Sequence, residues 1–219
     1  VNPTRIALIH ATPLAIEPID AAFKALWPQA TTTNLLDDSL PPDLVRDGRI
    51  TEAMIGRFVE LAHYVRKAGA DGILFTCSAF GVAIEAAKAA LDVPVLKPNE
   101  AMLDEAVAAG TRIGVLATFE PSIPSFVAEL EALAQAQGVR LELDLKAVPG
   151  AMAALQAGRA EEHDRLIAAA AAGMKACDAI LLSQFSMASA AASIPPSPAC
   201  KVLTSPASAV VRMRRLLGR

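Results

Sequence analysis

Signatures of metal binding and of disulfide bonding are missing from this chain of 219 residues. Its three cysteines, Cys77, Cys177 and Cys200, form an odd set without any Cys-x-x-Cys spacing. That excludes a disulfide framework and a structural zinc site. The three histidines, His10, His63 and His163, have no ligand-like neighbours, so no metal is expected. No apolar run reaches the roughly 18–20 residues needed to cross a bilayer. A net charge of −3 leaves no basic footprint for nucleic acid or for an anionic membrane. The opening residues, Val1 to Arg5, lead directly into an apolar strand without a secretory pattern, and a reduced, cytoplasmic protein is the expectation.

What is present is an alternation of short apolar runs and helical patterns, the signature of an α/β fold. Arg5-Ile-Ala-Leu-Ile9 reads as a buried strand, followed by a helix over 17–26 that stops at Trp27-Pro28. Residues 30–36 form a β-branched strand, and Asp37 to Pro42 is expected to be a loop. A helix over 51–67 precedes the strand Gly72-Ile-Leu-Phe75, the turn Thr76-Cys77-Ser78-Ala79 and a helix over 82–91. A strand over 93–96 closes this half. The pattern then restarts: helix 100–109, strand 112–116, helix 124–137, strand 139–145, helix 161–175, strand 178–182, strand 201–203 and a basic helix over 207–217. Asn99-Glu100 reads as a capping pair, and Asp37-Asp38 as a solvated turn rather than a cation site.

The restart is a repeat. Arg5-Ile6 recurs as Arg112-Ile113, Asp71 with Ile73-Leu74 as Asp178 with Ile180-Leu181, and Val95-Leu96 as Val202-Leu203; the displacement is 107 residues each time (112 minus 5, 178 minus 71, 202 minus 95). One shared offset in three strands points to two copies of one α/β unit. The expected divisions are 1–97, joined by the C-terminal helix 206–219, and 98–205. Two such flavodoxin-like, pseudo-symmetric half-domains, each a mainly parallel sheet flanked by helices, would face each other across a cleft holding the active site. At the place of Cys77, the second copy carries Gln184.

Together, the two-copy organisation, Thr76-Cys77-Ser78 and Ser183-Gln-Phe-Ser-Met-Ala188 resemble the aspartate/glutamate/hydantoin racemase superfamily, which includes arylmalonate decarboxylase and maleate isomerase. The resemblance covers nearly the whole chain. Cys77 matches the first family cysteine, with Ser78 and Ala79 following it. Met187-Ala188 match the second turn of the hydantoin racemases, where Ser183 and Gln184 replace Gly and Cys. The resemblance implies that Thr118 helps to hold a substrate carboxylate, and that His10 and Thr12 lie in a substrate-facing loop. It further implies chemistry without metal or organic cofactor on a small carboxylate, and a homodimer or higher oligomer.

The residues themselves leave alternatives. Cys77, at the carboxyl end of a strand and before a helix, is placed to act as acid, base or nucleophile, with a lowered pKa expected from the helix N-terminus. Buried cysteines also serve simply as packing. Thr76, Ser78 and nearby backbone N–H groups suit a carboxylate or enediolate oxygen, although Ser78 could be an ordinary helix cap. His10 is either a substitute acid or a satisfied histidine in a turn. Ser183, Gln184 and Ser186 suit substrate orientation. His63 and His163 read as surface or helix-packing residues, and Cys177 and Cys200 as core or surface thiols. Racemisation at carbon requires an acid and a base on opposite faces, and an amide such as Gln184 exchanges no proton with carbon. The expected activity is therefore cofactor-independent chemistry beside a carboxylate with one thiol. An arylmalonate-decarboxylase-like lyase and a non-catalytic carboxylate-binding protein are the rivals.

Overall fold

The computed structural model describes residues 3–219. It divides into two compact units, one running to Ala101 and taking in Ala209–Arg219, the other Met102–Ser208.

In the first unit, strands β1 (Arg5–His10), β2 (Thr31–Leu36), β3 (Gly72–Phe75) and β4 (Val95–Leu96) form one sheet in the order β2-β1-β3-β4. All pairings are parallel. Parallel sheets are covered on both faces, and β1 and β3 accordingly read as unbroken apolar runs buried almost end to end. Helices α1 (Ile16–Leu26), α2 (Leu40–Asp47), α3 (Glu52–Lys67) and α4 (Gly81–Ala89) make the crossovers. Helix α3 begins at Thr51, whose hydroxyl accepts from the Met54 N–H at 3.2 Å, a cap contributing about 1 kcal/mol. Its buried stripe Met54, Phe58, Ala62 and Val65 packs against Ile73, Phe75 and Phe80.

Helix α2 corrects an expectation. Asp37 to Pro42 was expected to be a loop, but Leu40 starts a helix with Pro41 and Pro42 in its first turn. Proline is tolerated there because the first-turn N–H groups have no intrahelical acceptor to lose. Asp37 is not a cation ligand in this arrangement, since its carboxylate receives the Arg57 guanidinium at 2.6 Å.

The second unit repeats the plan: β5 (Arg112–Ala117), β6 (Glu142–Ala147), β7 (Ala179–Leu182) and β8 (Lys201–Thr204), in the order β6-β5-β7-β8, again all parallel. The register carries the 107-residue offset. Ile6 pairs with Gly72 as Ile113 pairs with Ala179, and Ile9 with Phe75 as Leu116 with Leu182. The other edge departs from it: Arg5 faces Thr31, whereas Arg112 faces Glu142, a displacement of 111 between the partners (142 minus 31). Strand β6 begins at Glu142, three residues later than the expected 139 (142 minus 139). Helices α6 (Ile123–Ala136), α7 (Ala151–Gln156) and α8 (Ala160–Ala172) lie between these strands, and α7 carried no sequence expectation. Helices α5 (Glu100–Ala109) and α9 (Ser205–Leu216) are the elements in which the chain passes from one unit to the other. Among the described residues, no helix is long and apolar enough to cross a membrane.

Candidate functional site

In the first unit, β1 and β3 end side by side, which places His10 against Thr76. His10 is fully buried. Its Nδ1 lies 2.8 Å from Thr76 Oγ1, and its Nε2 lies 2.9 Å from Asn34 Oδ1 on the neighbouring strand β2. The Asn34 amide donates to Asp20 on α1 at 3.3 Å, and Thr32 donates to the same carboxylate at 3.5 Å. Burial pushes His10 below its ordinary value, against weaker upward pulls from Asn34 and Asp20. A histidine so enclosed is neutral at pH 7. Both ring nitrogens have hydrogen-bond partners, and His10 is the last residue of β1 rather than part of a turn.

Cys77 follows in extended backbone (φ −122°, ψ 118°), ahead of a short 3-10 turn over Ser78–Phe80. The expected lowering of its pKa is not found. Burial raises the thiol, only partly offset by a hydrogen bond from the Ala79 backbone. The reason is local: α4 begins four residues later at Gly81, so its N-terminal N–H groups are not spent on the sulfur. Cys77 is thus a protonated thiol at neutral pH. Ser78 and Ala79 are exposed beside it, and Ser78 does not cap α4, which has no side-chain cap at all. Thr12 is half-buried and accepts weakly from the Leu14 N–H at 3.4 Å.

In the second unit, the equivalent turn is built differently. Gln184 has the same extended backbone as Cys77 (φ −119°, ψ 148°). Its Oε1 accepts from the Thr118 N–H at 2.9 Å and the Thr118 hydroxyl at 3.2 Å. Its Nε2 donates to Ser122 Oγ at 2.8 Å, and Ser122 donates onward to the Phe119 carbonyl at 2.7 Å. Gln184 therefore ties the end of β7 to the loop after β5. Ser183, 8% exposed, has a buried hydroxyl without a hydrogen-bond partner among the described residues. Ser186 is half-buried in the 3-10 segment Phe185–Ser193.

Both units thus join their two central strand ends, but one residue out of step. In the first unit the tie is His10 to Thr76, which leaves the next residue, Cys77, free of it. In the second, the residue equivalent to His10 is Ala117, which offers nothing to Ser183, and the tie moves on to Thr118 and Gln184. Asn34, Asp20 and Ser122 were not foreseen as members of these groups. The polar Asn34, in an otherwise strand-like run, was the available signal for one of them.

The remaining candidates lie elsewhere. Cys177 is buried at the amino end of β7, beside a cavity of about 310 Å³ lined by Arg112, Glu142, Asp144 and Lys175. Cys200 is half-buried just before β8. His63 is exposed on α3, whereas His163 is buried on α8 with Nδ1 2.7 Å from Asp164. Among the described residues, no cluster of three His, Cys, Asp or Glu side chains could hold a metal ion.

A parallel sheet in the order 2-1-3-4, built twice and carrying its polar turns at the strand carboxyl ends, defines a two-half-domain α/β protein of the kind that binds small ligands at those ends. The sequence model of the Asp/Glu/hydantoin racemase family matches residues 9–213, and the chain belongs to that family. Comparison with curated proteins gives no match. Among solved structures, an aspartate racemase homologue from Pyrococcus horikoshii is similar at 12% identity and a TM-score of 0.70, covering 99% of this chain and 100% of its own. Glutamate racemase from Francisella tularensis subsp. tularensis, in complex with D-glutamate, is similar at 14% identity and TM-score 0.66, covering 100% of this chain and 82% of its own. Unliganded arylmalonate decarboxylase is similar at 19% identity and TM-score 0.61, covering 98% and 93%. At these identities the likeness establishes the fold.

Proposed function

We propose that this protein is a cofactor-independent enzyme acting on the carbon next to a carboxylate of a small organic acid, with Cys77 as its one proton-carrying thiol. The observation that carries the reading is the inequality of the two turns. Cys77 is a protonated thiol left outside the strand tie, whereas Gln184, at the equivalent position, is an amide held by three hydrogen bonds.

Racemisation removes a proton on one face and returns one on the other, which calls for two exchanging groups. One protonated thiol suits a reaction that needs only delivery. Loss of carbon dioxide from an acid with two carboxylates on one carbon leaves an enediolate. The Cys77 S–H bond breaks, its proton joins that carbon, and the thiolate regains a proton from water. The exposed Ser78 hydroxyl, next to Cys77 in the same turn, suits the carboxylate and enediolate oxygens. The D-glutamate bound by the Francisella enzyme supports a small carboxylate as the substrate class. The similarity to arylmalonate decarboxylase supports a lyase within the same fold.

The test is turnover of candidate malonates and amino acids in D₂O. One-sided protonation gives carbon dioxide and a product with one deuterium and one handedness. Solvent exchange with loss of optical rotation instead means racemisation, and binding without either reaction means a carboxylate-binding protein.

A further inference from the structure

The Asp20–Asn34–His10–Thr76 chain ends at the residue before Cys77, and its proton positions follow from its ends. Asp20, a carboxylate, only accepts, so the Asn34 NH₂ group must point at it and the Asn34 carbonyl must face His10. A carbonyl accepts only, so His10 Nε2 carries the proton. Neutral His10 then offers a lone pair at Nδ1, and the Thr76 hydroxyl donates to it at 2.8 Å. The other acceptor within reach of that hydroxyl is the Ile9 carbonyl at 3.4 Å, which is the poorer bond. Every atom in the chain is satisfied with His10 uncharged.

We propose that this chain is a tautomer lock that keeps His10 neutral, and that His10 is thereby a positioning residue that holds Cys77 as a proton donor. Three groups face the ring: Asn34 from β2, Thr76 from the end of β3, and beyond Asn34 the Asp20 carboxylate from α1. Asp20 is the charged group whose field reaches His10, and it stands behind the Asn34 amide, two hydrogen bonds from the ring. No charged group is among the influences on Cys77. An imidazolium at His10 would change that, because a positive charge hydrogen-bonded to Thr76, the residue before Cys77, favours the thiolate. Interposing an amide between the carboxylate and the imidazole therefore works in the same direction as burial, which raises the Cys77 thiol. The inference rests on the reading of Cys77 as the acid of the proposed reaction.

The experiment exchanges two links of the chain. In the double variant Asp20→Asn, Asn34→Asp the same groups are present, but the carboxylate now sits against Nε2, where it stabilises the imidazolium. The amide at position 20 donates to it. Cys77 alkylation by iodoacetamide is followed across pH 6–9 by peptide-resolved mass spectrometry, with Cys200 as internal reference. Nitrogen-15 NMR of the histidines reads the His10 state in the same samples. We expect imidazolium at pH 7 in the double variant, with Cys77 alkylated about tenfold faster than in the wild type, the change given by one unit of thiol pKa. A charged His10 with an unchanged Cys77 rate overturns the proposal, since a merely structural histidine would behave that way. The unaltered protein supplies a second, independent reading: Nε2-protonated neutral His10 through pH 6–8 is required, and imidazolium at pH 7 overturns the lock. Neither readout involves a substrate, so failure of the D₂O experiment and failure here are separate results.

Discussion

Thr118 and Gln184 are joined twice, through the backbone N–H and the hydroxyl of the threonine to one amide oxygen, at 2.9 and 3.2 Å. This pair of contacts explains how the turn that repeats the Cys77 turn can hold an amide. The amide serves the loop between β5 and α6, with Ser122 receiving its NH₂ group. Gln184→Ala removes all three contacts and leaves the Thr118 N–H without its acceptor. A loss of about 1–3 kcal/mol is expected, read as a lower urea midpoint at unchanged slope. If the midpoint does not move, the latch is not holding the loop.

Substitution at Cys77 tests the chemistry rather than the fold. Cys77→Ser keeps the size and a polar hydrogen but raises the pKa of the proton carrier far out of range. Turnover of any acid found to be a substrate should fall by about 10²–10⁴, the usual contribution of a positioned proton donor. The urea midpoint should stay close to that of the wild type, because the half-buried thiol borders the core instead of filling it. Activity that survives Cys77→Ser removes this residue from the mechanism.

The direction of the Cys77 shift sets a pH profile. Burial raises the thiol, so the protonated form persists past the ordinary value of about 8.5. A reaction that needs the S–H is therefore flat through neutrality and declines as pH rises through the raised value. A base would show the opposite limb, with activity growing over the same range. The sign of that limb in kcat against pH decides between the two roles. The stability linkage has the same sign: a thiol raised on folding favours the folded state below its unfolded pKa, and that advantage is lost at higher pH.

The parts of this protein that were legible in its sequence are those governed by local pattern. Strands β1, β3, β5 and β7 are short apolar runs buried on both faces, and their repetition at one offset survives as an identical register. Elements whose signal is weaker were displaced or missed. Strand β6, with its half-exposed Glu142-Leu-Asp-Leu-Lys-Ala147, shows alternation too faint to fix its ends, and α7 is a six-residue helix behind Gly150. The prolines of α2 concealed a helix start. At the site, Cys77 and Gln184 stood out as residue types in a repeat. Their settings did not, because the Asn34–His10 and Ser122–Gln184 contacts join residues 24 and 62 apart and exist only once the strands are in register. The raised thiol likewise belongs to tertiary burial, which outweighs the helix-end effect that sequence position alone brings to mind.

Asp178 offers a prediction at the opposite end of the second sheet. Its carboxylate receives the Arg112 guanidinium at 2.6 Å and the N–H groups of Arg112 and Thr111 at 2.9 and 3.0 Å, which together hold its pKa down to about 2. The first unit has the related contact from the Arg5 N–H to Asp71 at 2.8 Å, so the pair closes the start of the β5–β7 junction as its counterpart does for β1–β3. A carboxylate whose pKa is lowered on folding stabilises the folded state above its unfolded value near 4, and that contribution is lost as pH falls toward 2. Asp178→Asn should therefore be less stable than the wild type at pH 7, and the two should converge in thermal unfolding between pH 4 and 2. High salt should narrow the gap at pH 7 as well, since the Arg112 pair lies at the surface where screening is effective. A gap that is constant from pH 7 to pH 2 would assign the effect to lost backbone hydrogen bonds alone and remove the ionised carboxylate from the account.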